Sequence, residues 1–171
     1  SFDTPNDATI AGITVGTGGI AGNVAIGDSA LLSNTSGAGN VAVGTAALGN
    51  NASGNNNTAI GSNSLLANTT GYLNVAVGPS ALTTNSSGNF NVAIGGEALI
   101  YNDTGNYNTA VGTDALMAST TGMYNTAIGY YAGANLSAGD YNVIVGGYTG
   151  SAAPLSGSGS NHCLLYTSDA A

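Results

Sequence analysis

The sequence predicts an all-β fold, a parallel β-solenoid (β-roll or β-helix) of eight 17-residue coils, and three observations predict it. A five-residue motif returns at a fixed spacing with no insertion or deletion: NVAIG from Asn23, NVAVG from Asn40, NTAIG from Asn57, NVAVG from Asn74, NVAIG from Asn91, NTAVG from Asn108, NTAIG from Asn125 and NVIVG from Asn142. Every copy ends in glycine, at Gly27, Gly44, Gly61, Gly78, Gly95, Gly112, Gly129 and Gly146. A leucine follows four residues later in six copies, as Leu31, Leu48, Leu65, Leu82, Leu99 and Leu116. Strict self-similarity at a short period is the sequence signature of stacked coils, each too small to bury its apolar face alone.

The elements follow from the unit, numbered from its asparagine. Positions 2 to 4 are mostly β-branched and alternate with period 2, which predicts short strands within 23–27, 40–44, 57–61, 74–78, 91–95, 108–112, 125–129 and 142–146. An obligate glycine directly after a strand marks a corner that needs positive φ or close backbone approach. Positions 8 and 9, Ala or Ser and then Leu, read as a second buried segment, either a short strand or a helical turn. Positions 12 to 15 run NTSG, NASG, NTTG, NSSG and NDTG. That is turn chemistry, with Asn and Ser/Thr bonding their own backbone before a glycine in the left-handed region. Parallel strands about 4.8 Å apart make eight coils a rod roughly 40 Å long.

Alternation puts positions 2 and 4 on one face of the strand and position 3 on the other. By hydrophobicity, Val and Ile fill the coil interior with the position-9 leucines. The position-3 row (Ala25, Ala42, Ala59, Ala76, Ala93, Ala110 and Ala127) then faces outward as a contact line for partner chains, with Ile144 as its one exception. Position 17 carries Phe90, Tyr107, Tyr124 and Tyr141 in consecutive coils, an aromatic ladder whose roles are structural stacking or contact with a sugar or surface. The turns match glycosylation acceptors at Asn34, Asn51, Asn68, Asn85 and Asn102, and their regular spacing assigns them to the turn instead.

The ends are less regular. Residues 1–22 form a lead-in, of which 6–22 fill one further period as a degenerate first coil; the solenoid proper spans 23–146, and 147–162 read as an irregular Pro/Ser/Gly-rich exit. The last nine residues, CLLYTSDAA (163–171), resemble the translated end of a transposase-type sequencing adapter, a non-native read-through. On that reading Cys163 supports no redox argument, and the chain is a metagenomic fragment cut at both ends. His162 has no base or ligand partner near it in sequence.

Composition narrows the function. The 171 residues include no Lys or Arg, eight acids, one His and 28 Gly, for a formal charge of −8. Without basic residues there is no phosphate-tracking surface, which argues against nucleic acid and anionic membranes as partners. Nothing approaches the roughly 18 apolar residues of a membrane helix. Asp28, Glu97, Asp103, Asp114 and Asp140 fall singly, so they supply no paired carboxylates, and no Cys/His cluster has metal-binding spacing. The reading is of a non-enzyme with no cofactor and no metal. A calcium-binding β-roll requires GGxGxD turns, which the unit lacks.

The units NTAIGSNSLLANTTGYL (57–73) and NVAVGPSALTTNSSGNF (74–90) resemble the repeat arrays of bacteriophage tail fibres. The strand motif is similar to the repeat of trimeric autotransporter adhesin (YadA-like) heads, although the unit is longer here and position 2 is Val or Thr directly after Asn. The resemblance covers residues 6–162. It implies a left-handed β-roll assembled as a homotrimer, located in the virion tail fibre or alternatively on a bacterial cell surface. The function expected is a fibre shaft or head region supporting host attachment, with any glycan or receptor bound by parts outside this chain. The alternatives are the head of a bacterial trimeric adhesin and, more remotely, an ice-binding solenoid. The last would need a regular outward Thr row, whereas position 2 interleaves Thr58, Thr109 and Thr126 with five valines.

Overall fold

A computed structural model describes residues 8–10, 13–16, 20, 22–147 and 158–165. They form one 11-stranded sheet whose strands lie in chain order. The two leading strands are β1 (Ala8–Ile10) and β2 (Ile13–Gly16). The repeat supplies β3 (Val24–Ile26), β4 (Val41–Val43), β5 (Thr58–Ile60), β6 (Val75–Val77), β7 (Val92–Ile94), β8 (Thr109–Val111), β9 (Thr126–Ile128) and β10 (Val143–Val145). A last strand, β11, spans Cys163–Leu165. From β3 to β11 every pairing is parallel, so the sheet is one wall of a β-solenoid. Within the array the register is fixed at one unit, as Ala42 on Ala59 and Ala59 on Ala76 illustrate.

Each strand keeps only three residues of the five-residue motif. Asn and Gly flank it and do other work. The segment after the glycine corner is a run of turns, and no helix occurs among the described residues.

The leading segment departs from the expected degenerate coil. β1 and β2 are an antiparallel hairpin, and β2 pairs antiparallel with β3 through Val15–Ile26 and Gly16–Ala25. A hairpin laid along β3 occupies the hydrogen-bonding edge that the first coil would otherwise present. At the other end the pattern resumes beyond the exit segment. β11 pairs with β10 as Val143–Cys163 and Ile144–Leu164, at an offset of 20 residues instead of 17. The backbone N–H of His162, in the asparagine's place, donates to Asn142 Oδ1 (3.0 Å).

The strand's inside and outside are the reverse of the expectation. The position-3 alanines are core: Ala42, Ala59, Ala76, Ala93, Ala110 and Ala127 are fully buried. Positions 2 and 4 face out, with Val24, Ile60, Ile94, Ile128 and Val143 each 40–43% exposed. The physical reason is the asparagine. Asn40, Asn57, Asn74, Asn91, Asn108, Asn125 and Asn142 point inward and are fully buried, and Asn23 is nearly so. Period-2 alternation then turns position 3 inward as well. The interior already holds the position-1 and position-12 asparagines and the buried leucines 31, 48, 65, 82, 99 and 116, leaving room for little more than a methyl group at position 3.

Coils 7 and 8 show that this space is shared. Position 9 of coil 7 is Gly133 and position 3 of coil 8 is Ile144. A Cβ on Gly133 would lie 2.6 Å from Ile144 Cδ1 and 3.0 Å from Leu116 Cδ2. Ile144 thus fills the volume a position-9 leucine would take, while Leu136 replaces the coil's position-12 asparagine in the core.

Candidate functional site

Three features carry the chemistry of the array, the interior asparagine ladders, the aromatic ladder and the outward sheet face, all repeated at the coil spacing that the turns set. The position-5 glycines combine two demands, with φ between 121° and 135° and, for Gly61, a virtual Cβ 2.6 Å from the carbonyl carbon of Gly78 in the next coil. Any side chain there collides with backbone. The position-15 glycines are different. The expectation of a left-handed residue fails, since none of Gly37, Gly54, Gly71, Gly88 or Gly105 is among the positive-φ glycines. They are glycine because the next coil's backbone and the asparagine ladder crowd them. The left-handed conformation is instead carried by non-glycine residues at positions 7, 9 and 17, including Leu65 at 50°, Glu97 at 59° and Tyr107 at 57°. L-residues adopt it at a cost of roughly 1–2 kcal/mol each, and regular stacking holds them there.

Two asparagine ladders run through the interior. In the first, Asn74 Nδ2 donates to the Gly88 carbonyl of its own coil (2.8 Å), and Asn74 Oδ1 accepts from the backbone N–H of Asn91 in the next (2.9 Å). The same pattern recurs from Asn23 to Asn142. In the second, Asn51, Asn68, Asn85 and Asn102 each donate from Nδ2 to Oδ1 of the asparagine one coil back (2.7–2.9 Å). The position-12 asparagines Asn51, Asn68, Asn85 and Asn102 are fully buried, which closes their sequon-like triplets to modification in the folded array, while Asn34 is half-buried. The second ladder stops at Ser119, whose hydroxyl is too short to continue it. Asn102 Oδ1 and Ser119 Oγ are both buried without a hydrogen-bond partner.

The aromatic ladder forms as expected. Phe90, Tyr107, Tyr124 and Tyr141 stack with centroids 4.8–4.9 Å apart and planes within 4°, and Tyr72 meets Phe90 edge-on. The rings cover one another's faces, so the ladder presents edges to solvent, with Tyr107, Tyr124 and Tyr141 44–58% exposed. Of its two expected roles, stacking accounts for this geometry.

The third feature is the outward sheet face, two rows of β-branched side chains at positions 2 and 4. Position 4 alternates strictly, Ile26, Val43, Ile60, Val77, Ile94, Val111, Ile128 and Val145. The isoleucines at 60, 94 and 128 protrude more than the valines between them. Neither row contains a charged residue.

A smaller grouping lies at positions 6 and 7 of the later coils. Tyr130 and Tyr131 meet edge-to-face at 4.5 Å. Asp114, 8% exposed, sits one coil before Tyr131. Its negative charge, with a lesser push from Tyr130, raises the Tyr131 phenol above its ordinary value near 10. The expectation that the acids fall singly, at different positions of the unit, misses that Glu97 and Asp114 share position 7 one coil apart. The signal was an acid–aromatic succession, Glu97, Asp114 and Tyr131, at position 7 of three consecutive coils.

Among the described residues, no group of three or more His, Cys, Asp or Glu is placed to hold a metal ion, and no helix is long and apolar enough to cross a membrane. Cys163 is exposed and unpaired. No family model, curated protein or solved structure matches the chain, so what it is rests on the solenoid's own geometry.

Proposed function

We propose that the array is a structural and adhesive fibre segment, a shaft or head region of a phage tail fibre that supports host attachment, built from copies of this chain side by side. The observation that carries the reading is the outward Val/Ile/Thr face. It runs uncharged along all eight coils, about 34 Å from β3 to β10 at ~4.8 Å per strand. A contiguous apolar strip of that length on a chain of charge −8 marks an interaction surface. A second copy suits it because the face has the same coil spacing and adds no charge to the contact.

A homotrimer is the assembly implied by the resemblance of the repeat, and the virion is the location that goes with it. The head of a bacterial surface adhesin is the alternative, with the same assembly surface. The ice-binding alternative draws less support, because the outward position-2 row mixes three threonines among five valines.

Light scattering on the full chain, paired with the double substitution Val75→Glu and Ile94→Glu, tests the reading. The wild-type chain should be a defined oligomer and the variant a folded monomer, because each glutamate would bury an unpaired charge at the contact. A wild-type chain that stays monomeric at high concentration refutes it.

A further inference from the structure

We propose that Tyr107, Tyr124 and Tyr141 are a site of oxidative modification, where coupling of neighbouring rings to dityrosine staples coils 5, 6 and 7 together covalently. Composition closes the commoner cross-links. With one cysteine and no lysine, the chain can form neither an internal disulfide nor a lysine-based bridge between coils. Tyrosine occurs nine times and joins ring to ring under one-electron oxidation.

The backbone delivers the three rings alike. Each is left-handed, with φ of 57° at Tyr107, 58° at Tyr124 and 57° at Tyr141. Each backbone N–H donates at 3.0 Å to the preceding coil, Tyr107 to Asn89 O, Tyr124 to Asn106 O and Tyr141 to Met123 O. The centroids of Tyr107 and Tyr124 are 4.9 Å apart with planes within 2°, and those of Tyr124 and Tyr141 are 4.8 Å apart with planes within 4°. Rings related by a near-translation put like carbons over like carbons, so each carbon ortho to a phenol oxygen faces its counterpart one coil on. The three side chains are 44–58% exposed, which leaves an oxidant access and a ring room to swing out of the stack.

Other rings do not share this arrangement. Phe90 stacks on Tyr107 at 4.8 Å but has no phenol, so it ends the coupling series. Tyr72 has only that Phe90 ring beside it, and Tyr130 and Tyr131 are consecutive residues whose union would tie no two coils. Tyr107 and Tyr141 are two coils apart, about 10 Å at ~4.8 Å per coil. Tyr124 is therefore common to both productive pairs.

In the coupling, two phenols each lose one electron and the O–H proton. The two phenoxyl radicals join ortho carbon to ortho carbon, and the ring hydrogens at those carbons move to the oxygens as both rings regain aromaticity. Two electrons and two protons leave in all. Hydrogen peroxide, acting through a haem peroxidase, accepts them and becomes two waters. Stacking holds the partners together beforehand, which favours coupling within one chain over coupling between chains. Each link closes a loop of one 17-residue unit and restricts the unfolded chain as a disulfide would.

Position 17 is not part of the Val/Ile face, so the proposal does not rest on self-assembly. The test treats the full chain with a haem peroxidase and hydrogen peroxide, then reduces it so that Cys163 contributes no disulfide. Cleavage on the amino side of aspartate at Asp103, Asp114 and Asp140 puts Tyr107, Tyr124 and Tyr141 in three separate fragments. Mass spectrometry should find neighbouring fragments joined with the loss of two hydrogens, in a product of monomer mass. Tyr124→Phe keeps a ring in the stack, as Phe90 does, and should abolish the joined fragments. Tyr141→Phe should retain the Tyr107–Tyr124 link. The cross-linked chain should melt roughly 5–10 °C above treated Tyr124→Phe. Absence of joined fragments, coupling only between chains, joined fragments that persist in Tyr124→Phe, or a cross-linked chain that melts no higher overturns the proposal.

Discussion

Replacing Ser119 by asparagine should stabilise the array. The second asparagine ladder ends at Asn102, whose Oδ1 is buried with no partner, and Ser119 Oγ beside it is equally unpartnered. Four links of that ladder span 2.7–2.9 Å between coils, so an asparagine at 119 has a ready geometry for its Nδ2. The same Nδ2 can reach the Gly122 carbonyl, as Asn85 Nδ2 reaches Gly88 O at 3.0 Å. The substitution therefore satisfies one orphan acceptor and removes one orphan hydroxyl. It creates one new orphan, the Oδ1 of the new side chain, which faces Leu136 in the next coil. With each buried unsatisfied group costing about 1–3 kcal/mol, two removed and one created leaves a net gain of about 1 kcal/mol or somewhat more. For a chain of this size that is an upward shift of about 2–4 °C in the melting midpoint. Ser119→Ala is the control. It leaves one buried orphan, Asn102 Oδ1, just as the asparagine leaves one, so it should gain less only by the hydrogen bonds that the new Nδ2 makes to Asn102 Oδ1 and the Gly122 carbonyl, about 0.5–1.5 kcal/mol each. Thermal melts followed by circular dichroism measure both. A Ser119→Asn chain that melts lower than wild type, or no higher than Ser119→Ala, refutes the ladder argument.

Three further outcomes follow. Ile144→Ala should cost about 2–5 kcal/mol by opening a cavity opposite Gly133, and adding Gly133→Leu should recover much of it, since leucine already adopts φ near 50° at that position in other coils; denaturant melts of the two singles and the double give the coupling, and additive costs would disprove the shared volume. Glutamate at Ala76 and Ala93, buried in the core, should unfold the chain by circular dichroism, in contrast to the folded monomer expected from Val75→Glu and Ile94→Glu; a folded Ala76→Glu/Ala93→Glu chain would return the alanines to the surface. Asp114→Asn should bring the Tyr131 phenol back down toward its ordinary range, because the aspartate's charge is the main cause of its upward shift; in wild type the folded state holds that proton more tightly than the unfolded one, so its effect on stability is complete below pH 10 and is lost as pH rises through the raised value. Alkaline absorbance titration reads the change, and an unmoved Tyr131 would reject the assignment.

What the sequence determined by itself was everything the 17-residue period controls. Parallel in-register stacking, the strand positions, the glycine corner, the row of buried leucines and the aromatic ladder all follow once identical units must repeat at one coil's rise. Position 12 was legible as turn chemistry, and its asparagines do bond locally, as Asn85 does to Gly88. The tertiary structure decided the rest, beginning with which side of each strand is inside. Hydrophobicity ranked Val and Ile above Ala for the interior, but an interior so narrow is governed by volume and by the need to satisfy backbone groups between coils. The invariant Asn of position 1 meets that need by facing inward, and it carries Ala inward with it while turning Val and Ile out. The left-handed residues were misplaced for a related reason. Propensity assigns positive φ to glycine, whereas regular stacking imposes it on Leu, Tyr and Glu and reserves glycine at position 15 for a place where the neighbouring coil leaves no room for a Cβ. The pairing of Gly133 with Ile144 was invisible for a third reason. The two residues lie in different coils and at different positions of the unit, and only the closed coil brings them into the same space.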